Sequence, residues 1–431
     1  MNLSSRDKAS IWHPFTQVAT APDNLAIVKA EGVWLYAEDG RKYLDGTASW
    51  WVNAHGHAHP HIANRIAEQA KELEHIIFAG FTHKPAIELA EQLLKLAGEP
   101  FGKVFYSDNG STAVEVALKM ALQYFHNLGR PRNRIVAFQN SYHGDTFGAM
   151  SVGHRNAFSA PFGQLLFEVD FLPPPDKTPP EQLLEHLREV IQTGTLAAFI
   201  FEPLVQGANG MRMYSAETLN ALIALCQESG VICIADEVFT GFWRSGKPFA
   251  SDYLSRRPDL LCLSKTLTGG FLPLGATLAP DAVFEAFRST EMHKTFFHGH
   301  SYTANPLSCT AALASLELFD HQKRNQIAEI GQWQARFCDA LKSHPALLDA
   351  RCLGTILALE LKTEAATGYL NPVAAEITAF FLSKGIYLRP LGNVIYCTPP
   401  YCIEKSELEY IHTSIVEFLN QRMSTSVAPN P

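Results

Sequence analysis

Between residues 103 and 264 the chain alternates short apolar runs with longer stretches whose apolar positions recur every three or four residues. KVFYSD (103–108), RIVAF (134–138), AAFIFE (197–202), VICIAD (231–236) and LLCLS (260–264) are of strand length. NGSTAVEVALKMALQYFHNLG (109–129) and SAETLNALIALCQESG (215–230) have helical spacing. Strands that are apolar almost throughout, separated by helices, predict an α/β fold with a mostly parallel sheet covered by helices. Ligands of such sheets bind beyond the carboxyl ends of the strands. The unusual residues of this chain gather at those positions: Asp108 to Thr112, Tyr142 and His143, Glu202, Asp236 and Glu237, and Lys265.

The Pro-rich stretch LPPPDKTPP (172–180) reads as a surface connector within this domain. From residue 321 onward the texture changes to helix patterns with short strands, ILALEL, IYLRP and VIYCTPP. Together with residues 1–54 this predicts a smaller α+β domain built from both chain ends, with residues 55–320 as the large domain. The tail STSVAPNP (424–431) is expected to fray.

Composition narrows the function. A chain of 431 residues is long enough for two or three domains. With 47% hydrophobic and 18% charged residues the balance is that of a soluble globular protein. A net charge of −8 and no strongly basic stretch argue against a nucleic-acid partner. The longest apolar runs are of strand length and fall short of the ~20 residues of a membrane span. The start, MNLSSRDKAS, is polar and carries no apolar signal core. The eight cysteines form no CxxC pair, and several, such as Cys233 and Cys262, sit in apolar runs. They read as reduced core thiols of a cytoplasmic protein.

The candidate chemistry starts at Lys265. A lysine at a strand end can snorkel, keeping its ammonium in water. It can also form a Schiff base with a carbonyl cofactor or substrate. Asp236 favours the second, because a carboxylate emerging directly from a buried strand needs a cationic partner. The protonated pyridine nitrogen of pyridoxal phosphate is one such partner, although an aspartate there can also merely cap a loop. Asn109, Gly110, Ser111 and Thr112 lie between a strand and a helix, where free backbone N–H groups attract a phosphate. Ser and Thr are equally ordinary helix caps. Tyr142, just past a second strand, can stack on a flat ring or simply pack.

Taken together these residues resemble the class III (subgroup II) pyridoxal-phosphate aminotransferases of fold type I. The resemblance rests on Asp236, EVFTGFWRSGK and then Lys265, and it extends over nearly the whole chain. Within that family IWHPFTQ, DGTASWWVNAHGHAHP, AGFTHKPAIELAEQL, SDNGSTAVEVALKMALQYF, NSYHGDTFGAMSVG, EPLVQGANGMRMY, SKTLTGGFLPL and LRPLGNVIYCTPPY are similar to the branch that aminates 8-amino-7-oxononanoate in biotin biosynthesis.

The resemblance implies pyridoxal 5'-phosphate as cofactor. It makes Lys265 the cofactor-bound lysine and proton shuttle, and Asp236 the partner of the ring nitrogen. Gly110 and Ser111 would bind the phosphate, and Tyr142 would stack on the ring and meet the substrate. Trp50 would wall the substrate channel, and Arg389 would hold the distant carboxylate of the acceptor. Asp145 and Arg244 would line the site, with Phe15 among the substrate-binding residues. Ser301, with Gly299 and His300 beside it, would reach the phosphate of a neighbouring subunit, which implies a homodimer. Phe15 and His300 depart from the family's best-known form, which carries Tyr and Pro there. That variation resembles a branch using lysine as amino donor, whereas DGTASWW and GANGMRMY are more similar to the adenosylmethionine form. Adenosylmethionine is the expected donor, with lysine as the alternative.

Other classes fit less well. GFWRSGKP (241–248) approaches a phosphate-binding P-loop, but Pro248 stands where a Ser or Thr must bind magnesium. No GxGxxG follows a strand, which argues against a nicotinamide enzyme. His55, His57, His59 and His61 crowd one segment, but no HExxH or cysteine pair accompanies them, so no metal is expected. Among aminotransferases, the runner-up is a general ω-amino acid or 4-aminobutyrate enzyme.

Overall fold

The structure, a computed structural model, describes residues 2–426. Of the tail expected to fray, residues 424–426 continue the last helix, Lys405–Ser426, and residues 427–431 lie outside the described residues. The core of the large α/β unit is a seven-stranded sheet. Its spatial order is Phe101–Ser107, Gly275–Pro280, Leu260–Leu263, Ile232–Asp236, Leu196–Phe201, Arg134–Phe138 and Asp170–Leu172. The last five of these pair in parallel. Gly275–Pro280 runs antiparallel to both of its neighbours, so the other six strands share one direction. No sequence pattern marks Gly275–Pro280 as a strand: GATLAP is short of β-branched and aromatic residues and carries Gly and Pro, the marks of a loop. Its place between two strands supplies what its composition lacks.

This topology brings the carboxyl ends of Phe101–Ser107, Arg134–Phe138, Leu196–Phe201, Ile232–Asp236 and Leu260–Leu263 to one edge. Leu196–Phe201 is buried at every position, as a central strand covered on both faces must be. Helix Gly110–Asn127 packs Ala113, Ala117, Leu118, Ala121 and Phe125 into the apolar cluster on one face of the sheet. The Asn109 side chain accepts the Thr112 N–H at 3.0 Å, and the Thr112 hydroxyl accepts the Asn109 N–H at 3.0 Å. That reciprocal cap fixes where the helix begins.

The two chain ends meet in a second sheet, where Ile386–Tyr387 runs parallel to Lys42–Asp45 with Tyr387 opposite Asp45. A third sheet joins Leu347–Leu353, Ile356–Leu361 and Val394–Cys397. Immediately after Asp45 the backbone turns left-handed: Ala48, Ser49, Trp50 and Trp51 have φ of 47°, 47°, 74° and 74°. Each non-glycine residue in that region costs roughly 1–2 kcal/mol, so the surrounding structure has to hold the turn in place. Among the described residues no helix is long and apolar enough to cross a membrane.

Candidate active site

A cavity of about 670 Å³ opens at the carboxyl edge of the large sheet. Gly110, Ser111, Tyr142, Asp145, Asp236 and Lys265 all line it. Lys265 follows Ser264 into a tight turn with φ of +46°, and the turn closes at Gly269. The Ser264 hydroxyl donates to the Leu274 carbonyl at 2.7 Å and pins the entry to the turn. Burial pulls the Lys265 ammonium below its usual pKa, and the charges of Asp236 and Glu202 partly oppose that pull. The amine lies 4.9 Å from the centroid of the Trp51 ring. It is thus biased towards the neutral, nucleophilic form.

Asp236 ends its strand buried. One carboxylate oxygen lies 2.7 Å from Nδ1 of His143, and the other accepts the Val238 N–H at 3.1 Å. His143 therefore orients the carboxylate while its own Nε2 stays unpartnered. The next strand end holds Glu202, whose two oxygens accept the N–H groups of Tyr142 at 3.0 Å and Gly207 at 2.8 Å. Burial, reinforced by the charge of Asp236 and opposed by His143, raises its pKa to about 7. Glu202 thus ties the Tyr142 loop to the sheet. Burial, with help from Asp145, raises the Tyr142 phenol above its ordinary pKa and keeps it neutral.

The capped helix supplies the anion end. The first N–H groups of a helix have no partner within it, and here they belong to Gly110 and Ser111. Glycine is required at two places around them. A Cβ on Gly110 would sit 2.6 Å from Cγ1 of Val238. One on Gly144, at φ of +130°, would fall 1.7 Å from the Ser111 hydroxyl oxygen. With no side chain at 144, that oxygen accepts the Asp145 N–H at 2.8 Å. Glu115 holds the same loop through the N–H groups of Gly148 and Ala149. A helix start for a phosphate, a buried carboxylate for a ring N–H and an amine for a carbonyl fit pyridoxal phosphate as a donor set.

A second group lies beside the cavity. The Arg389 guanidinium stacks on Trp50 and donates to the Tyr369 hydroxyl at 3.0 Å. Phe15 meets Trp50 edge-on at 5.5 Å and contacts Phe158 and Tyr369. Nothing in the sequence singles out Tyr369 and Phe158; both sit in segments with no strand-end or motif signal.

Two expected positions differ. Trp51, not Trp50, lines the cavity, because the left-handed turn sends the two rings in different directions. Arg244 was expected to line the site but is fully buried off its wall. Its Nη1 donates to the Pro399 carbonyl at 2.9 Å, and its guanidinium packs over Tyr401 at 4.6 Å. Gly299, His300 and Ser301, expected to serve a neighbouring subunit's site, do not line the cavity of their own chain. His300 Nδ1 approaches Asp108, a cavity residue, at 3.4 Å, and Ser301 is exposed. The clustered histidines go to separate partners: His55 to Ser315, His57 to Asp45 and His61 to Glu317.

Known proteins share this sequence and fold. An "Adenosylmethionine-8-amino-7-oxononanoate aminotransferase" of Synechococcus elongatus is 49% identical over 420 residues, 95% of this chain and 98% of that one. The crystal structure of a protein of the same name from Methanocaldococcus jannaschii superposes with a TM-score of 0.91 at 36% identity, covering 97% of this chain and 98% of that one. A PLP-bound amine transaminase from an uncultivated Pseudomonas species gives a TM-score of 0.87 at 31% identity, over 94% of this chain and 97% of that one. The pattern of the family described as aminotransferase class-III matches residues 16–419, and the chain belongs to that family.

Proposed function

We propose that this aminotransferase uses pyridoxal phosphate to convert 8-amino-7-oxononanoate into 7,8-diaminononanoate, with adenosylmethionine as amino donor. The observation that carries the reading is the convergence of Lys265, Asp236 and the start of helix Gly110–Asn127 on one cavity. Bound pyridoxal phosphate supplies an electron sink and a carrier for the amino group. Gly110 and Ser111 would hold its phosphate through N–H groups and the positive end of the helix. Asp236, oriented by His143, would keep the ring nitrogen protonated. Tyr142, on the cavity wall, would cover the ring. Lys265, its ammonium pulled below its usual pKa by burial, would hold the cofactor as its amine and would move the proton at the reacting carbon. Trp51 shields the amine from water.

The acceptor is a long chain with a carboxylate at its far end. Arg389, flat against Trp50, offers a planar two-pronged donor for that carboxylate. Phe15 presents only carbon to this region, and a lysine donor is the outcome that its lost hydroxyl would favour. We also infer a homodimer in which residues 299–301 serve the phosphate of the partner's site. Exposed Ile77, Phe81, Phe297 and Tyr302 support that reading, and Tyr302 lies against His75 at 5.0 Å, so the two segments adjoin. The eight unpaired cysteines support a reducing, cytoplasmic setting.

The test is to mix the pyridoxal form separately with adenosylmethionine, lysine and 4-aminobutyrate and follow the cofactor's visible absorption band. Conversion by adenosylmethionine, followed by reoxidation with 8-amino-7-oxononanoate, supports the proposal. Conversion by lysine alone replaces the donor. Conversion by 4-aminobutyrate without turnover of the oxononanoate replaces the whole reading with the general ω-aminotransferase.

A further inference from the structure

The turn at residues 48–51 holds four consecutive non-glycine residues at positive φ. Such backbone persists only where its surroundings over-determine it. Asp45, wholly buried at the end of its strand, lies under the turn. Its Oδ1 accepts the Thr47 N–H at 3.0 Å and the Thr47 hydroxyl at 3.3 Å. Its Oδ2 accepts the Ser49 N–H at 2.8 Å, the Ser49 hydroxyl at 3.0 Å and Nε2 of His57 at 2.9 Å. The Asn53 amide nitrogen stands 3.2 Å from Nδ1 of His57, so Asn53 donates there and His57 holds its proton on Nε2, towards Asp45.

Asp45 also fixes where the other half of the substrate group lies. It pairs in register with Tyr387, two residues before Arg389. The Gly46 N–H that follows donates to the Tyr387 carbonyl at 3.0 Å. One residue thus carries the turn that presents Trp50 and the strand that presents Arg389.

We propose that Asp45, steadied by His57, is a positioning residue for substrate choice. Its carboxylate holds residues 48–51 in the left-handed turn and so sets the Trp50 platform on which Arg389 receives the acceptor's far carboxylate. The inference rests on the proposed reaction for its substrate, and on the geometry alone for the turn.

The experiment uses the holoenzyme. Asp45→Asn replaces one acceptor oxygen with a donor facing other donors. The KM for 8-amino-7-oxononanoate is expected to rise about tenfold while kcat changes far less, and the near-ultraviolet circular dichroism of the tryptophans should change with it. Adding Ala48→Gly, which removes the steric cost of a positive φ without touching any Asp45 bond, should recover both signals. Unchanged KM and dichroism in Asp45→Asn would overturn the proposal, as would a double variant that regains thermal stability but not KM. Should Asp45→Asn fail to fold, Ser49→Ala removes one of the five contacts. It should move KM and dichroism the same way by a smaller factor, and no change there overturns the proposal. A wild-type enzyme that does not aminate the oxononanoate would sink the proposed function, and the dichroism and its recovery by Ala48→Gly would still judge the turn.

Discussion

The guanidinium carbon of Arg389 lies 3.8 Å from the ring centroid of Trp50. The two residues come from opposite ends of the chain and meet because Ile386–Tyr387 pairs with Lys42–Asp45. Stacking uses the face of the guanidinium and leaves its edge for hydrogen bonds, one of which goes to Tyr369.

That arrangement makes Arg389→Lys a severe change. An ammonium cannot lie flat on the indole and offer two parallel donors to a carboxylate. The expected loss in kcat/KM for the oxononanoate is ~1.5–3 kcal/mol, roughly 10- to 150-fold. The half-reaction with adenosylmethionine, which does not carry that distant carboxylate, should lose much less. Single-turnover rates for the two halves decide it, and equal losses would move the carboxylate site elsewhere.

Lys265 predicts a pH trend in the cofactor-free protein. Its folded-state pKa lies below the ordinary 10.5. The unfolded chain therefore binds more protons between the lowered value and 10.5, and stability from this group rises with pH across that window. Lys265→Met removes the buried amine. At neutral pH its thermal midpoint should exceed that of the wild type, and the gap should narrow as pH approaches 10.5. A gap independent of pH would show that the amine is not forced towards neutrality. The same variant should have no transaminase turnover.

Glu202 runs the other way. Its pKa is raised to about 7 from 4.5, chiefly by burial. The folded state binds the extra proton between those values, so this group's contribution falls as pH rises through them, by roughly 3 kcal/mol at most. Glu202→Gln loses one good acceptor but does not titrate. Its destabilisation relative to wild type should be larger at pH 5 than at pH 8 in denaturant melts. A constant difference across that range would mean that Glu202 is ionised throughout.

Gly144→Ala tests the phosphate end. The new methyl would fall 1.7 Å from the Ser111 oxygen, so Ser111 or the loop must shift. The expected result is faster loss of pyridoxal phosphate on dialysis, with little change in KM for the acceptor once cofactor is saturating. Wild-type cofactor retention would show that Ser111 has no part in binding it.

Much of this site is legible in the sequence because it follows from local rules. Unbroken apolar runs mark the central strands. A mostly parallel sheet sends their carboxyl ends to one edge, and that rule alone groups Gly110, Ser111, Tyr142, Asp236 and Lys265. The resemblance of eight sequence blocks points to the same family that residues 16–419 match. Gly275–Pro280 carries no such mark because its neighbours, not its own residues, make it a strand.

The chain's periodicity and strand-end chemistry thus determined the sheet and the residues on its rim, since both depend on neighbours a few positions apart. Only the tertiary structure decided which way those residues face. Trp50 and Trp51 are adjacent, yet a turn stabilised from Asp45 and His57 sends one ring to Arg389 and the other to Lys265. Arg244 carries the same charge as Arg389, but the carbonyl of Pro399 and the ring of Tyr401 hold it inside. Side-chain direction at such positions is set by contacts made across the whole length of the chain, and no local pattern encodes them.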